Sequence, residues 1–263
     1  MEREENGGLS GLQWSCVADP PREGWGNMAR DHGMALAARE GRATIRFYRW
    51  DRPTVSFGRN EPALVRYRAV VERGFSVVRR PTGGRAVLHD RELTYAVVVP
   101  RRPGVRLRTV YRMIQEGLLS GLAALGVKAE SAAAGPAARP DAGPCFVHPA
   151  EGEIVVSGRK LLGSAQARIQ GALLQQGSLL ISNDQFELHA DSGTIDPRGS
   201  RATTLESVLG RVPEWTEVAA ALTDGLAERL SVSIRPRRLT EPEIAAENSI
   251  QARYRSEAWT WRC

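Results

Sequence analysis

Apolar residues recur along this chain in two rhythms, one of period two and one near 3.6, and the switches between them mark out elements. Residues 12–17 form a short extended stretch behind a polar, Gly- and Pro-rich start. Residues 28–39 carry apolar positions at helical spacing, with Asn27 placed to cap them. Residues 43–50 alternate as a strand does, Arg52-Pro53 interrupts, and 54–57 resume. A helix is expected over 62–73 and a strand over 75–80, running into Pro81-Thr82-Gly83-Gly84. Residues 86–89 and 93–99 read as paired strands around a polar turn at Asp90-Arg91. Helical spacing returns over 110–125 and stops at Gly126.

Residues 131–144, rich in Ala, Gly and Pro, have no period and read as a loop too long to be a plain connection. Beyond it, 153–156 and 160–166 read as a hairpin around Ser157-Gly158, followed by strands at 171–174 and 178–181. Helices are expected at 205–209, 215–230 and 242–255, with a short extended link at 234–236. Hairpins outnumber alternating strand–helix units, so the pattern predicts an α+β fold: a mixed, largely antiparallel sheet flanked by helices. A doubly wound parallel sheet does not fit.

Composition narrows the class. At 263 residues the chain is long enough for one large domain, or one with a small appendage. Its longest apolar runs fall far short of a membrane span. The opening Met1-Glu2-Arg3-Glu4-Glu5-Asn6 lacks the apolar core of a secretory signal. Cys16, Cys145 and Cys263 are odd in number and without metal-ligand spacing, so neither a disulfide framework nor a metal site is expected. A cytoplasmic protein is expected. The net charge is +6, but the basic residues are dispersed and aromatics make up only 6%. Nucleic-acid binding is therefore not expected, and an acidic protein partner fits the charge.

Of 36 basic residues only Lys128 and Lys160 are lysine. Arg is permanently charged and planar, whereas Lys is a compact cation able to exchange protons. A chain that otherwise uses Arg has reason to keep a lysine where guanidinium will not serve. Lys160 stands fifteen positions after Cys145 and just before Gly163-Ser164-Ala165. A thiol beside a cation becomes a nucleophile, and His148 is close in sequence. Cys145 alone would equally suit a buried core thiol, and Lys160 a turn lysine. A third stretch, Arg79-Arg80-Pro81-Thr82-Gly83-Gly84-Arg85-Ala86-Val87-Leu88-His89, puts paired glycines at a strand end among cations. Backbone N–H groups there could hold a carbonyl or phosphate oxygen, with Arg79, Arg80 and Arg85 suiting an anion. It is neither a P-loop nor a dinucleotide fingerprint.

This last stretch resembles the Arg-Arg-x-x-Gly-Gly-x-Ala-Val-x-His signature of the biotin/lipoate protein ligase superfamily. Arg159-Lys160-x-x-Gly163-Ser164-Ala165-Gln166 resembles its lysine strand, and Asn27-Met28-Ala29-x-Asp31 and Trp50-x-x-Pro53-x-x-Ser56-x-Gly58-Arg59 support the likeness. The resemblance implies the class II synthetase-like catalytic fold over 26–232, with an N-terminal segment at 1–25 and a C-terminal helical extension at 233–263. ATP-dependent members typically carry Asn-Asp where this chain has Pro144-Cys145. The cysteine instead resembles the cysteine-dependent octanoyltransferases of Gram-positive bacteria. That likeness implies transfer of octanoyl from acyl carrier protein, through a Cys145 thioester, to the lysine of lipoyl-domain proteins such as H protein and E2 subunits. Cys145 and Lys160 would be catalytic. Arg80, Gly83, Gly84, His89, Gly163, Ser164 and Ala165 would bind substrate, with no cofactor or metal. A lipoyl-domain amidotransferase and an ATP-dependent lipoate ligase are the alternatives. Where relatives often have His-Gly, this chain has Gln176-Gly177.

Overall fold

The computed structural model describes residues 9–63, 67–103, 105–133, 144–147, 149–182 and 202–262. Much of the expected loop at 131–144, part of the expected helix at 62–73, His148 and Cys263 lie outside them. Eight strands form the main sheet: β1 (Gln13–Ala18), β2 (Arg42–Tyr48), β6 (Glu92–Pro100), β7 (Glu130–Ser131), β8 (Ile154–Val156), β9 (Arg159–Ile169), β10 (Ala172–Leu180) and β11 (Ile234–Pro236). Their spatial order is β11-β1-β2-β6-β10-β9-β8-β7. Only the β1–β11 and β1–β2 pairings are parallel, so the sheet is mixed and mostly antiparallel. A second sheet holds β4 (Ser76–Arg79), β3 (Thr54–Phe57) and β5 (Val87–His89) in that order.

Helices cover both faces of the main sheet. On one face α3 (Leu107–Ala124) and α5 (Trp215–Leu230) pack on each other over a core that includes Ile45, Tyr95, Val97, Leu162 and Leu173. On the other, α1 (Gly24–Leu36) and α6 (Glu241–Arg255) cover Tyr48, Ala96, Val98 and Leu174. The helices α2 (Arg68–Glu72), α4 (Leu205–Leu209) and α7 (Glu257–Thr260) are short. A capping box at Thr240, whose hydroxyl and backbone N–H both meet Glu243, fixes the start of α6.

Three local expectations are corrected. Asn27 does not cap α1, which starts a turn earlier at Gly24. Instead Asn27 is fully buried, donating to the Arg22 and Arg49 carbonyls and accepting from Arg46. Residues 86–89 and 93–99 do not pair with each other. β5 pairs with β3 in the small sheet, while β6 runs between β2 and β10. β6 is buried along its whole length, as befits a central strand, and a period-two pattern cannot name a strand's partner. Finally, 171–174 and 178–181 are one strand. Gln175 and Gln176 interrupt the apolar pattern yet stay buried because their amides are bonded: Gln175 donates to the Tyr95 hydroxyl and Gln176 to Asp31.

His32 of α1 yields a pH test. Its Nδ1 lies 2.7 Å from the Tyr254 hydroxyl of α6, and burial, with Arg253 and Arg59 nearby, lowers its pKa to about 4. The unfolded imidazole titrates near 6.5. Between those values the unfolded chain binds the extra proton, so this contribution is complete above pH 6.5 and is lost as pH falls toward 4. The urea midpoint should therefore drop over that window, and His32→Gln should remove much of the slope. Equal slopes in parent and variant would show that His32 protonates freely in the fold.

Candidate active site

The site begins with a turn. Ser157 and Gly158 both adopt left-handed backbone conformations, φ 50° and 72°, as the tightest hairpin turns require. They fold β8 back on β9 with Val156 opposite Arg159. A bulge between Ile154 and Val155 then shifts the register. Lys160 is fully buried, and its ammonium has three hydrogen-bond acceptors: Glu153 Oε1 at 2.7 Å, the Cys145 carbonyl at 3.0 Å and Cys145 Sγ at 3.1 Å. Those match the three N–H donors of an ammonium.

Cys145 opens a single 3₁₀ turn, Cys145–Val147. Phe146 anchors that turn in an apolar nook with Val87, Leu180 and Ala202, and its ring lies 4.9 Å from Lys160 Nζ. The Cys145 N–H donates to the Ala86 carbonyl at 2.9 Å, and Arg85 donates to the Cys145 carbonyl at 3.3 Å. The turn is thus tied both to the lysine strand and to the glycine-rich stretch. Cys16 sits elsewhere, packed against the core below α3 and α5, and burial raises its pKa.

These groups open into a cavity of about 520 Å³. All nine residues expected from the sequence line it: Cys145, Lys160, Arg80, Gly83, Gly84, His89, Gly163, Ser164 and Ala165. β8 pairs with β9 only as far as Leu162. Among the described residues no other strand continues along that edge, so the Gly163–Ala165 backbone faces the cavity. Ser164 meets the Tyr95 hydroxyl at 2.7 Å. His89 stacks on Trp50 at 4.1 Å, with its two ring nitrogens against Ser56 Oγ and Glu92 Oε1. A larger cavity, near 740 Å³, lies at the far edge of the sheet beside β1 and β11, and none of these nine residues lines it.

The paired glycines meet the rest of the site through main chain. Gly84 has φ 86°, where a side chain would strain the backbone, and a Cβ on Gly58 would collide with the Gly84 carbonyl. The flanking arginines divide their labour. Arg79 is fully buried and donates to the carbonyls of Gly58, Glu61, Thr260 and Arg262. It holds the C-terminal segment against the loop, so the expectation that it serves an anion is corrected. Arg80 donates to the carbonyls of Ser56, Gly83 and Arg85, and lines the cavity with donors already engaged.

The chain can now be placed. The lipoyl protein ligase A/B catalytic domain family matches residues 24–227. The chain belongs to this family. It is 39% identical over 258 residues to a protein of Kyrpidia tusciae named octanoyltransferase LipM, covering 90% of this chain and 94% of that one. A protein of the same name from Brevibacillus brevis is 35% identical, with 95% and 99% covered. Among solved structures, a bipartite lipoate protein ligase studied with its E2 lipoyl domain, from Thermoplasma acidophilum, superposes with a TM-score of 0.80 at 22% identity. That match covers 95% of this chain and 96% of the other. A lipoate-protein ligase A bound with ATP gives a TM-score of 0.81 at 22%, covering 95% and 99%. At such identity these structures establish the class II synthetase-like fold and nothing about chemistry.

Two site residues escaped the sequence reading of this family member. Glu153 looked like the first residue of an ordinary strand, and its carboxylate meets Lys160 across the hairpin. Glu61 accepts from the N–H groups of Gly58 and Ala86 and the Tyr67 hydroxyl, bracing the glycine loop from below. No sequence signal marked either. No helix among the described residues is long and apolar enough to cross a membrane, and none of their His, Cys, Asp and Glu side chains cluster as metal ligands would.

A cation 3.1 Å from sulfur stabilises the thiolate. Lys160→Ala should therefore move the pH midpoint of Cys145 alkylation upward, while Lys128→Arg behaves as the parent. An unmoved midpoint would show that the two groups do not communicate.

Proposed function

We propose that this chain is an octanoyltransferase of protein lipoylation that works through a thioester on Cys145. The observation carrying this is the buried Lys160 ammonium against Cys145 Sγ on the wall of the cavity. The Cys145 thiolate attacks the carbonyl of octanoyl-acyl carrier protein. The new Sγ–C bond replaces the donor's, and the carrier thiolate leaves and takes up a proton. The lysine amine of a lipoyl domain, such as H protein or an E2 subunit, then attacks the enzyme thioester. An amide forms, the amine loses a proton, and the Cys145 sulfur leaves. Lys160 supplies charge to sulfur in both halves, and the backbone of Gly83, Gly84 and Gly163–Ala165 is placed to hold the carbonyl oxygen and the alkyl chain. Arg80 and His89 shape the wall. The thioester already carries the activation, so this route needs no cofactor or metal.

Support comes from the relatives named octanoyltransferase and from the ligase studied with its E2 lipoyl domain. The acidic carrier gives the net charge of +6 a use. A second reading, an ATP-dependent lipoate ligase, has the fold in its favour, but Pro144-Cys145 replaces the Asn-Asp typical of that group. An amidotransferase would use the same thioester with another lipoyl domain as donor.

Incubation with octanoyl-acyl carrier protein and no ATP should add one octanoyl group to the intact mass. Cys145→Ala should abolish the adduct and all transfer, whereas Cys16→Ala should keep both. An adduct that survives in Cys145→Ala would remove the mechanism. Transfer that requires ATP and free acid would favour the ligase. An adduct formed only from octanoylated lipoyl domain would favour the amidotransferase.

A further inference from the structure

Lys160 is a fully buried lysine, and the carboxylate that answers it has no part in the reaction above. Glu153 is itself buried, 5% exposed, with both carboxylate oxygens 2.7 Å from Lys160 Nζ and Oε2 also accepting the Ala150 N–H at 2.7 Å. The other ionisable groups around the sulfur come from the glycine loop and the helix and strand behind it. Arg80 and Arg85 bind main-chain carbonyls. Burial pushes the Tyr95 phenol up to about 12 and Tyr111 higher still, so both stay neutral. Among the described residues Glu153 is the one carboxylate hydrogen-bonded to the Lys160 ammonium.

Two one-proton states of the Cys145–Lys160 pair compete: thiol with amine, and thiolate with ammonium. The contact between the two groups adds Coulomb attraction to the second state and none to the first. Glu153 acts on both sides of the reaction. While the sulfur is free, its carboxylate shares the ammonium with the thiolate and holds the thiolate fraction down. Once the sulfur is acylated it carries no charge, and without Glu153 the ammonium would be a buried cation with no charge partner, a strongly disfavoured state.

We propose that Glu153 is the positioning residue of this site: it holds the Lys160 ammonium in place after acylation has removed the charge from Cys145, and it restrains the thiolate beforehand. The acylated half of this statement rests on the reaction proposed above. The restraint on the thiolate does not.

The test is the pH profile of Cys145 alkylation by iodoacetamide in the full-length protein. Glu153→Gln should lower the midpoint by about one unit, opposite in direction to Lys160→Ala, and Glu153→Asp should follow the parent because it keeps the charge. With octanoyl-acyl carrier protein, Glu153→Gln should still form the adduct. On adding lipoyl domain, that adduct should decay about tenfold more slowly or worse, as expected when the group assisting the departing sulfur is lost. If Glu153→Gln is not recovered folded, Glu153→Ala should show the same downward shift, reversed by added formate. A midpoint that stays put or rises in Glu153→Gln overturns the proposal, as does Glu153→Asp shifting with it, which would make packing and not charge responsible. A parent that forms no octanoyl adduct, with the downward shift intact, overturns the proposed reaction and leaves the charge coupling standing.

Discussion

A cation taken wholly out of water must have every donor met in place, and at Lys160 that requirement organises the site. The ammonium and its partners come from three separate stretches of backbone: the lysine's own strand, the segment before it with Glu153, and the Cys145 turn. None could shift alone without leaving a buried polar group unpaired, which costs about 1–3 kcal/mol for a neutral group and more for a charged one. The tight Ser157-Gly158 turn and the Phe146 anchor place acceptors around that one ammonium.

The opposite wall is held by two networks of the same kind. Arg46, fully buried, donates to Asp19, Asp31 and Asn27, and Asp31 also accepts from Tyr48 and Gln176. Gln176 in turn accepts from the Thr82 hydroxyl of the glycine loop. An unbroken chain of hydrogen bonds therefore runs from α1 through the sheet to the paired glycines. Gln176 both donates and accepts, as a neutral histidine could at that point and a protonated one could not. Glutamine at 176 thus supports the loop without adding a titratable group. From the other side Arg79 binds the glycine loop to the last residues of the chain. Breaking a buried ion pair such as Arg46–Asp31 typically costs about 3–5 kcal/mol; buried arginines can look like binding groups in a sequence while serving only to hold the fold.

What was legible follows from what each signal measures. Period-two and period-3.6 patterns report which residues are buried, so the order of helices and strands and the antiparallel bias came through. They do not report partners, and so β5 was paired with the wrong neighbour and β10 was cut at Gln175-Gln176. Scarcity and spacing brought out Cys145 and Lys160, because the chemistry of a thiol and a lone lysine is written in residue types. Glu153 was invisible for the opposite reason. In a chain with 30 acidic residues one more carries no information, and its approach to Lys160 follows from how the two strands pair. Asn27 failed as a cap because its local propensity was outweighed by the tertiary demand of Arg46.

The lysine itself is explained by the same geometry. A guanidinium is flat and spreads five N–H groups in a fork, whereas the acceptors at Glu153, the Cys145 carbonyl and Cys145 Sγ converge within 3.1 Å of one atom. There is also no room for a larger head. A Cβ on Gly163 would already lie 2.9 Å from Lys160 Cε and 3.0 Å from Nζ, so the strand gives up even a methyl group to admit the ammonium. An arginine at 160 would have to displace either that strand or the thiol. A leaning toward arginine along the chain can replace lysine on a surface, where only charge is asked for. It stops where a point charge must fit three acceptors at once, and there the chain keeps its lysine.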